Sequence, residues 1–147
     1  MVFNVIAGFI IPCMLGVYLY FKDKKTLLTM APIGMAFALL YNSIGFHVPF
    51  WKLEPFSQGR MALIPFDLGA YPVFVSYLIY FIKNYNVKNY KVILIFTLIT
   101  TIIEYLILLA GRVEYFNGWN IVWTFISYLI PYVGCYIYYL ILQKKML

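Results

Sequence analysis

Apolar and polar positions alternate along this chain in blocks rather than residue by residue. Five apolar runs, at about residues 2–21, 26–46, 61–82, 92–111 and 121–142, are separated by short stretches that hold most of the charge. Each run is close to the roughly 20 residues that a helix needs to cross the hydrocarbon core of a bilayer. A backbone inside that core must satisfy its own hydrogen bonds, and a helix does so within one segment. The pattern therefore predicts an all-α membrane protein, a single domain built as a bundle of five transmembrane helices. No internal repeat, linker or low-complexity segment interrupts it.

Particular residues refine each element. Pro12 is expected to kink the first helix, which is tolerated where neighbouring helices take up the freed carbonyl. No basic stretch precedes this helix, and Lys22, Asp23, Lys24 and Lys25 follow it in place of a cleavage site. It therefore reads as a retained span rather than a signal peptide. In the second run Gly34 and Ala38 form a small-xxx-small pair that lets another helix come close. Residues 47–60 read as a loop broken by Pro49 and Pro55, with Phe50, Trp51 and Phe56 suited to the lipid–water interface. In the third run Pro65 and Pro72 bracket Asp67. Pro72 cannot donate a hydrogen bond and crowds the carbonyl of Leu68, so the helix is expected to be kinked or partly unwound at its carboxylate. Asn117-Gly118 signals a turn. That turn makes the fourth and fifth helices antiparallel neighbours, with Asn120 as the N-cap of the fifth.

Composition points to the same class. Of 147 residues, 65% are hydrophobic and 11% charged, against roughly 25% charged in a soluble domain. The net charge of +6 does not point to nucleic acid, because the lysines occur in short clusters between apolar runs. With five spans, Lys22, Lys24, Lys25, Lys83, Lys88, Lys91, Lys144 and Lys145 share one side. Lys52, Arg60 and Arg112 take the other, completing the total of 11. The positive-inside rule puts the lysine-rich side in the cytoplasm. The N-terminus is then expected outside, the C-terminus inside, and Trp51, Trp119 and Trp123 at or near the outer interface. Cys13 and Cys135 match no zinc or redox spacing and read as packing residues. His47, the single histidine, has no ligand partners at helical spacing. No metal and no cofactor are expected.

This topology turns two isolated carboxylates into a candidate pair. Asp67 lies about seven residues into a helix entering from outside, and Glu104 about seven residues from the outer end of the next. Both are then roughly 10 Å deep. On the fourth helix Thr97, Thr100, Thr101, Glu104, Gly111 and Arg112 fall within about one third of the circumference, and such a polar stripe turns inward in a membrane. Arg60 is on nearly the same face as Asp67, and Arg60 and Arg112 are long enough to reach down toward the acids. Two Arg–carboxylate clamps would make this a structural lock. A water-filled, outward-open pocket lined by Asn42, Arg60, Asp67, Glu104 and Arg112, with Asn117 or Asn120 above, would make it a ligand site.

Tyr41-Asn42, Pro49-Phe50-Trp51, Asp67 with Pro72, Glu104, and Tyr115 followed by Asn117-Gly118-Trp119-Asn120 carry a resemblance. The chain resembles a group of small, uncharacterised multi-pass membrane proteins from spore-forming Gram-positive bacteria. The likeness runs from about Tyr41 to Trp123 and is most specific at Asn-Gly-Trp-Asn. A longer Trp-containing segment follows the first helix in that family, where this chain has only KDKK. The resemblance implies a five-helix membrane fold in a bacterial cell membrane and no established activity.

Three function classes follow. The first is a non-enzymatic membrane protein whose outward-facing polar pocket binds an ion, a small ligand or a partner subunit. Its partners would be the lipid bilayer and a homo-oligomer or larger membrane assembly. The second is a membrane-embedded enzyme using Asp67 and Glu104 on a lipid or polyprenyl head group. It lacks a metal motif, an activated nucleophile or a phosphate-binding loop, so the balance is against an enzyme. The third is a subunit of a proton-coupled transporter, which would need oligomerisation to complete a pathway.

Overall fold

The computed structural model describes residues 1–146. Among them, four helices are long and apolar enough to cross a membrane: α1 (Val2–His47), α2 (Phe56–Asn84), α3 (Asn89–Leu109) and α4 (Ile121–Met146). Two short strands, β1 (Trp51–Leu53) and β2 (Val113–Tyr115), lie in the α1–α2 and α3–α4 connections.

The first helix covers two of the five apolar runs. Its backbone leaves helical geometry at Asp23, with φ −152° and ψ 73°, inside the KDKK cluster. Gly16, before the break, lies against Val73, and Gly34, after it, lies against Pro72 and Val75. A straight helix would hold residues 16 and 34 about 27 Å apart, so the two arms double back around one stretch of α2. The first arm runs parallel to α2, with Gly8 near Phe66 and Gly16 near Val73. The second runs antiparallel, with Thr26 bonded to Lys83 and Asn42 to Asp67.

Asp23 organises the reversal. Its Oδ1 accepts the Thr26 N–H at 3.0 Å and its Oδ2 accepts the Thr26 hydroxyl at 2.6 Å, which caps the second arm. The Lys83 ammonium, at the end of α2, pairs with the same carboxylate at 2.5 Å. Partial burial opposes the charge on Asp23. Bonds from Lys83 and Thr26, with the Lys83 charge, more than offset that and hold the carboxyl below the usual carboxylate range.

The disturbance expected at Asp67 is a widened π turn over Phe66–Ala70, following a 3₁₀ stretch at Phe56–Ala62. A second π turn, Ile6–Ile10, precedes Pro12 just as the first precedes Pro72. A proline in a helix removes one N–H and crowds the carbonyl four residues earlier, and a widened turn relieves both. The two turns pack together so closely that a Cβ on Gly69 would lie 2.3 Å from the Gly8 carbonyl oxygen.

The connection at 47–60 is more ordered than a loop. Trp51 pairs with Tyr115, Lys52 with Glu114 and Leu53 with Val113 in an antiparallel ladder that the block pattern did not predict. Leu53 and Val113 are buried against Ala62 and Leu63, while Lys52 and Glu114 face outward. Asn4 ties the N-terminus to this end, donating to the carbonyls of Glu54 at 2.6 Å and Ala62 at 2.9 Å.

At the same end, Asn117 and Gly118 adopt φ of 51° and 76°, and the Trp119 N–H closes on the Phe116 carbonyl at 2.9 Å. That is the primed turn their sequence favours. Asn120 Oδ1 accepts the N–H groups of Val122 and Trp123, capping α4 as its position predicts. Glu104 meets Tyr128 and Asn89 meets Tyr136, so α3 and α4 are antiparallel neighbours. The main core, including Met30, Leu78, Ile79, Ile93 and Cys135, sits toward the opposite end.

Candidate functional site

The second arm of α1, together with α2, α3 and α4, lines a partly open cavity of about 140 Å³. Small residues make room for it: Gly34 and Ala38 on α1, Ala70 on α2 and Ser127 on α4 all line the wall. Aromatic rings form much of the remainder, among them Phe37, Tyr41, Tyr71, Phe74, Tyr128 and Tyr132. Trp51 and Trp119 close the end beneath the short sheet. Their ring centroids are 4.8 Å apart, and Phe50 lies 4.8 Å from Trp119. Gly45 permits this lid, because a Cβ there would fall 2.0 Å from the Trp51 ring.

Glu104 lies on the cavity wall and accepts hydrogen bonds from both sides. Tyr115 donates to Oε1 at 2.7 Å and Tyr128 donates to Oε2. Thr124 donates to the Tyr115 oxygen at 2.9 Å, and the Trp119 indole N–H donates to Thr124 at 2.9 Å. On the far side the Tyr71 and Tyr128 hydroxyls are 3.3 Å apart. Since Tyr128 gives its proton to Glu104, Tyr71 donates to Tyr128. Two branches of neutral groups, Trp119–Thr124–Tyr115 and Tyr71–Tyr128, thus converge on the two oxygens of one carboxyl group.

The inward stripe on α3 holds for its threonines. Thr97, Thr100 and Thr101 are buried, and each hydroxyl bonds back to a carbonyl of its own helix. The stripe stops at Glu104, because α3 ends at Leu109 and Gly111 has turned to φ 70°.

Asp67 is fully buried. Its Oδ1 accepts the Asn42 amide at 2.5 Å, and its Oδ2 has no partner. Asn42 is on the cavity wall and Asp67 stands behind it. Tyr71 lies on the cavity wall one turn after Asp67 on α2, and its hydroxyl meets Tyr128, which bonds Glu104.

The two arginines do not clamp these acids. Arg112 donates to Glu54 at 2.8 Å and covers the Phe3 ring at 4.3 Å. Its backbone has left the α3 helix and belongs to the connection that leads into β2. Arg60 bonds the Leu39 carbonyl at 3.4 Å. Among the described residues neither acid has a basic partner within ion-pair distance. Asn117 donates to the carbonyls of Val48 and Pro49, and Asn120 serves as a helix cap. Both support the lid rather than line the cavity. No three His, Cys, Asp or Glu side chains among the described residues come together as metal ligands.

Tyr71, Tyr115, Thr124 and Tyr128 are the site residues that the carboxylate argument passed over. A signal was present, since Thr124, Tyr128 and Tyr132 fall one turn apart on α4, as Asp67 and Tyr71 do on α2. No protein-family model, no curated protein and no solved structure matches this chain.

Proposed function

We propose that this chain is a multi-pass protein of a bacterial cell membrane that binds a small ligand in an outward-facing pocket. It crosses the bilayer five times, the two arms of α1 counting as separate spans, with the N-terminus outside and the C-terminus in the cytoplasm. The reversal at Asp23 supports the count. The lysine asymmetry supports the orientation. Membership in the spore-former family resembled through Asn117-Gly118-Trp119-Asn120 belongs to the same reading. One observation carries the pocket: a cavity with Glu104 and Asn42 on its wall and Asp67 behind, neither acid neutralised by a basic side chain. Carboxylates at membrane depth without a basic partner are costly and mark functional positions in membrane proteins.

The test places Ser127→Cys, on the cavity wall, in a chain whose Cys13 and Cys135 are replaced by Ala. A membrane-impermeant methanethiosulfonate is then applied to intact cells. Modification is expected, and Ala38→Phe, which fills the cavity, should slow it. Modification seen only after the cells are opened would overturn the outward-facing reading. No modification under either condition would overturn the pocket.

A further inference from the structure

We infer that the ligand of this pocket is a small organic ammonium cation, held by aromatic rings and the Glu104 carboxylate; the inference rests on the pocket proposed above.

Charge selects the sign. The groups bonded to Glu104 are the neutral hydroxyls of Tyr115, Tyr128 and, at 3.5 Å, Thr124, so nothing bonded to it supplies a positive charge. Asp67 adds a second carboxylate behind Asn42. No lysine or arginine lines the cavity, so an anionic head group would meet repulsion with nothing to offset it. A neutral hydrocarbon would fill the volume and make no use of the Glu104 carboxyl group on the wall.

The wall selects the kind of cation. An inorganic ion such as Ca²⁺ needs about six to eight oxygen ligands. The Glu104 oxygens already accept hydrogen bonds from two tyrosines, and no third carboxylate is near among the described residues. Tyr71, Tyr128, Trp51 and Trp119 instead offer π-systems, whose faces attract a poorly hydrated ammonium group. Size completes the argument. The cavity of about 140 Å³ compares with the roughly 150 Å³ engineered cavity that binds benzene. Tetramethylammonium and choline are in that range.

The experiment uses the purified full chain in detergent. Trp51 and Trp119 on the wall serve as fluorescent reporters, and the melting temperature is a second reading. Choline and tetramethylammonium chlorides are titrated against sodium chloride at matched ionic strength and against 3,3-dimethyl-1-butanol, the neutral isostere of choline. The two ammonium salts should change the emission saturably and raise the melting temperature. The other two should do neither. Glu104→Gln should weaken binding at least tenfold, while Glu54→Gln, whose carboxylate pairs with Arg112 outside the cavity, should bind like the wild type. If Glu104→Gln fails to fold, Ala38→Phe takes its place and should abolish the response. Equal binding of the neutral isostere would overturn the cation and leave the pocket standing. Unchanged binding by Glu104→Gln, or no saturable response to either ammonium salt, would also overturn it. Labelling of Ser127→Cys decides the pocket independently.

Discussion

The Asn42 amide donates to Asp67 Oδ1 at 2.5 Å, across 25 residues of sequence, while Oδ2 of the same carboxylate is buried without a partner. One hydrogen bond thus joins the second arm of α1 to the widened turn of α2, and it is the link between the buried acid and the cavity wall. Its loss has a definite consequence. Asn42→Ala would leave the whole carboxylate unpaired, at a cost of about 1–3 kcal/mol or more. The melting temperature in detergent should fall accordingly. Asn42→Leu combined with Asp67→Leu should recover most of it, since no buried polar group is then stranded. A double variant less stable than Asn42→Ala would reverse this account.

Gly69 is needed because backbone, not side chain, occupies the space beside it. In Gly69→Ala the new methyl would meet the Gly8 carbonyl at 2.3 Å, and the two π turns would have to separate. Overpacking of this kind costs about 1–3 kcal/mol. Gly134→Ala would meet only the Phe37 ring, which can turn aside. Thermal unfolding of the two variants should rank them in that order, and a silent Gly69→Ala would mean the arms pack more loosely than described.

Asp23 makes stability depend on pH in a stated direction. Its folded carboxyl titrates below the unfolded value of about 3.9 because Thr26 and Lys83 favour the charged form. Its contribution is therefore present above about pH 4 and lost as pH falls through the lowered folded value. At pH 7 Asp23→Asn should melt lower than the wild type. The difference reflects the lost Lys83 ion pair, about 1 kcal/mol at most, because Asn caps a helix about as well as Asp. The gap should narrow as pH falls below the unfolded value of about 3.9. A gap that persists in acid would rule out the carboxylate as its source.

Asn120 and Glu104 separate stability from binding. Asn120→Ala removes the cap of α4 and should cost about 1 kcal/mol. Glu104→Gln keeps an acceptor for one tyrosine hydroxyl and removes the charge, so it should leave the fold nearly intact and act on ligand binding. Unfolding by Glu104→Gln beside a silent Asn120→Ala would exchange the two roles.

Orientation has its own check. Cysteines at Ser57 and Asn86, in the cysteine-free background, should differ in intact cells treated with an impermeant maleimide. Ser57→Cys is expected to react and Asn86→Cys to stay silent. The reverse would invert the orientation, and equal labelling would remove the five-span topology.

The block pattern determined a great deal, because a bilayer permits few solutions. Runs of about 20 apolar residues have to be helices. The turn at Asn117-Gly118, the cap at Asn120 and the disturbance beside Pro72 were legible for a related reason: each depends on the backbone preference of one or two residues. The widening at Phe66–Ala70 was expected only as a kink, since proline specifies that a helix must yield and not how.

Only the tertiary structure decided which side chains meet. Depth and helical phase placed Asp67, Glu104, Arg60 and Arg112 together, yet Arg112 leaves α3 at its end and finds Glu54 instead. A three-residue strand carries too short an alternation to stand out, so the pairing of Trp51 with Tyr115 was hidden. That ladder holds Tyr115 over Glu104, and α4 brings Thr124 and Tyr128 to the same carboxylate. Helical periodicity says which face a residue occupies. The partner opposite that face is set by packing between elements far apart in the chain, and for Glu104 it is a ring of hydroxyls rather than a guanidinium.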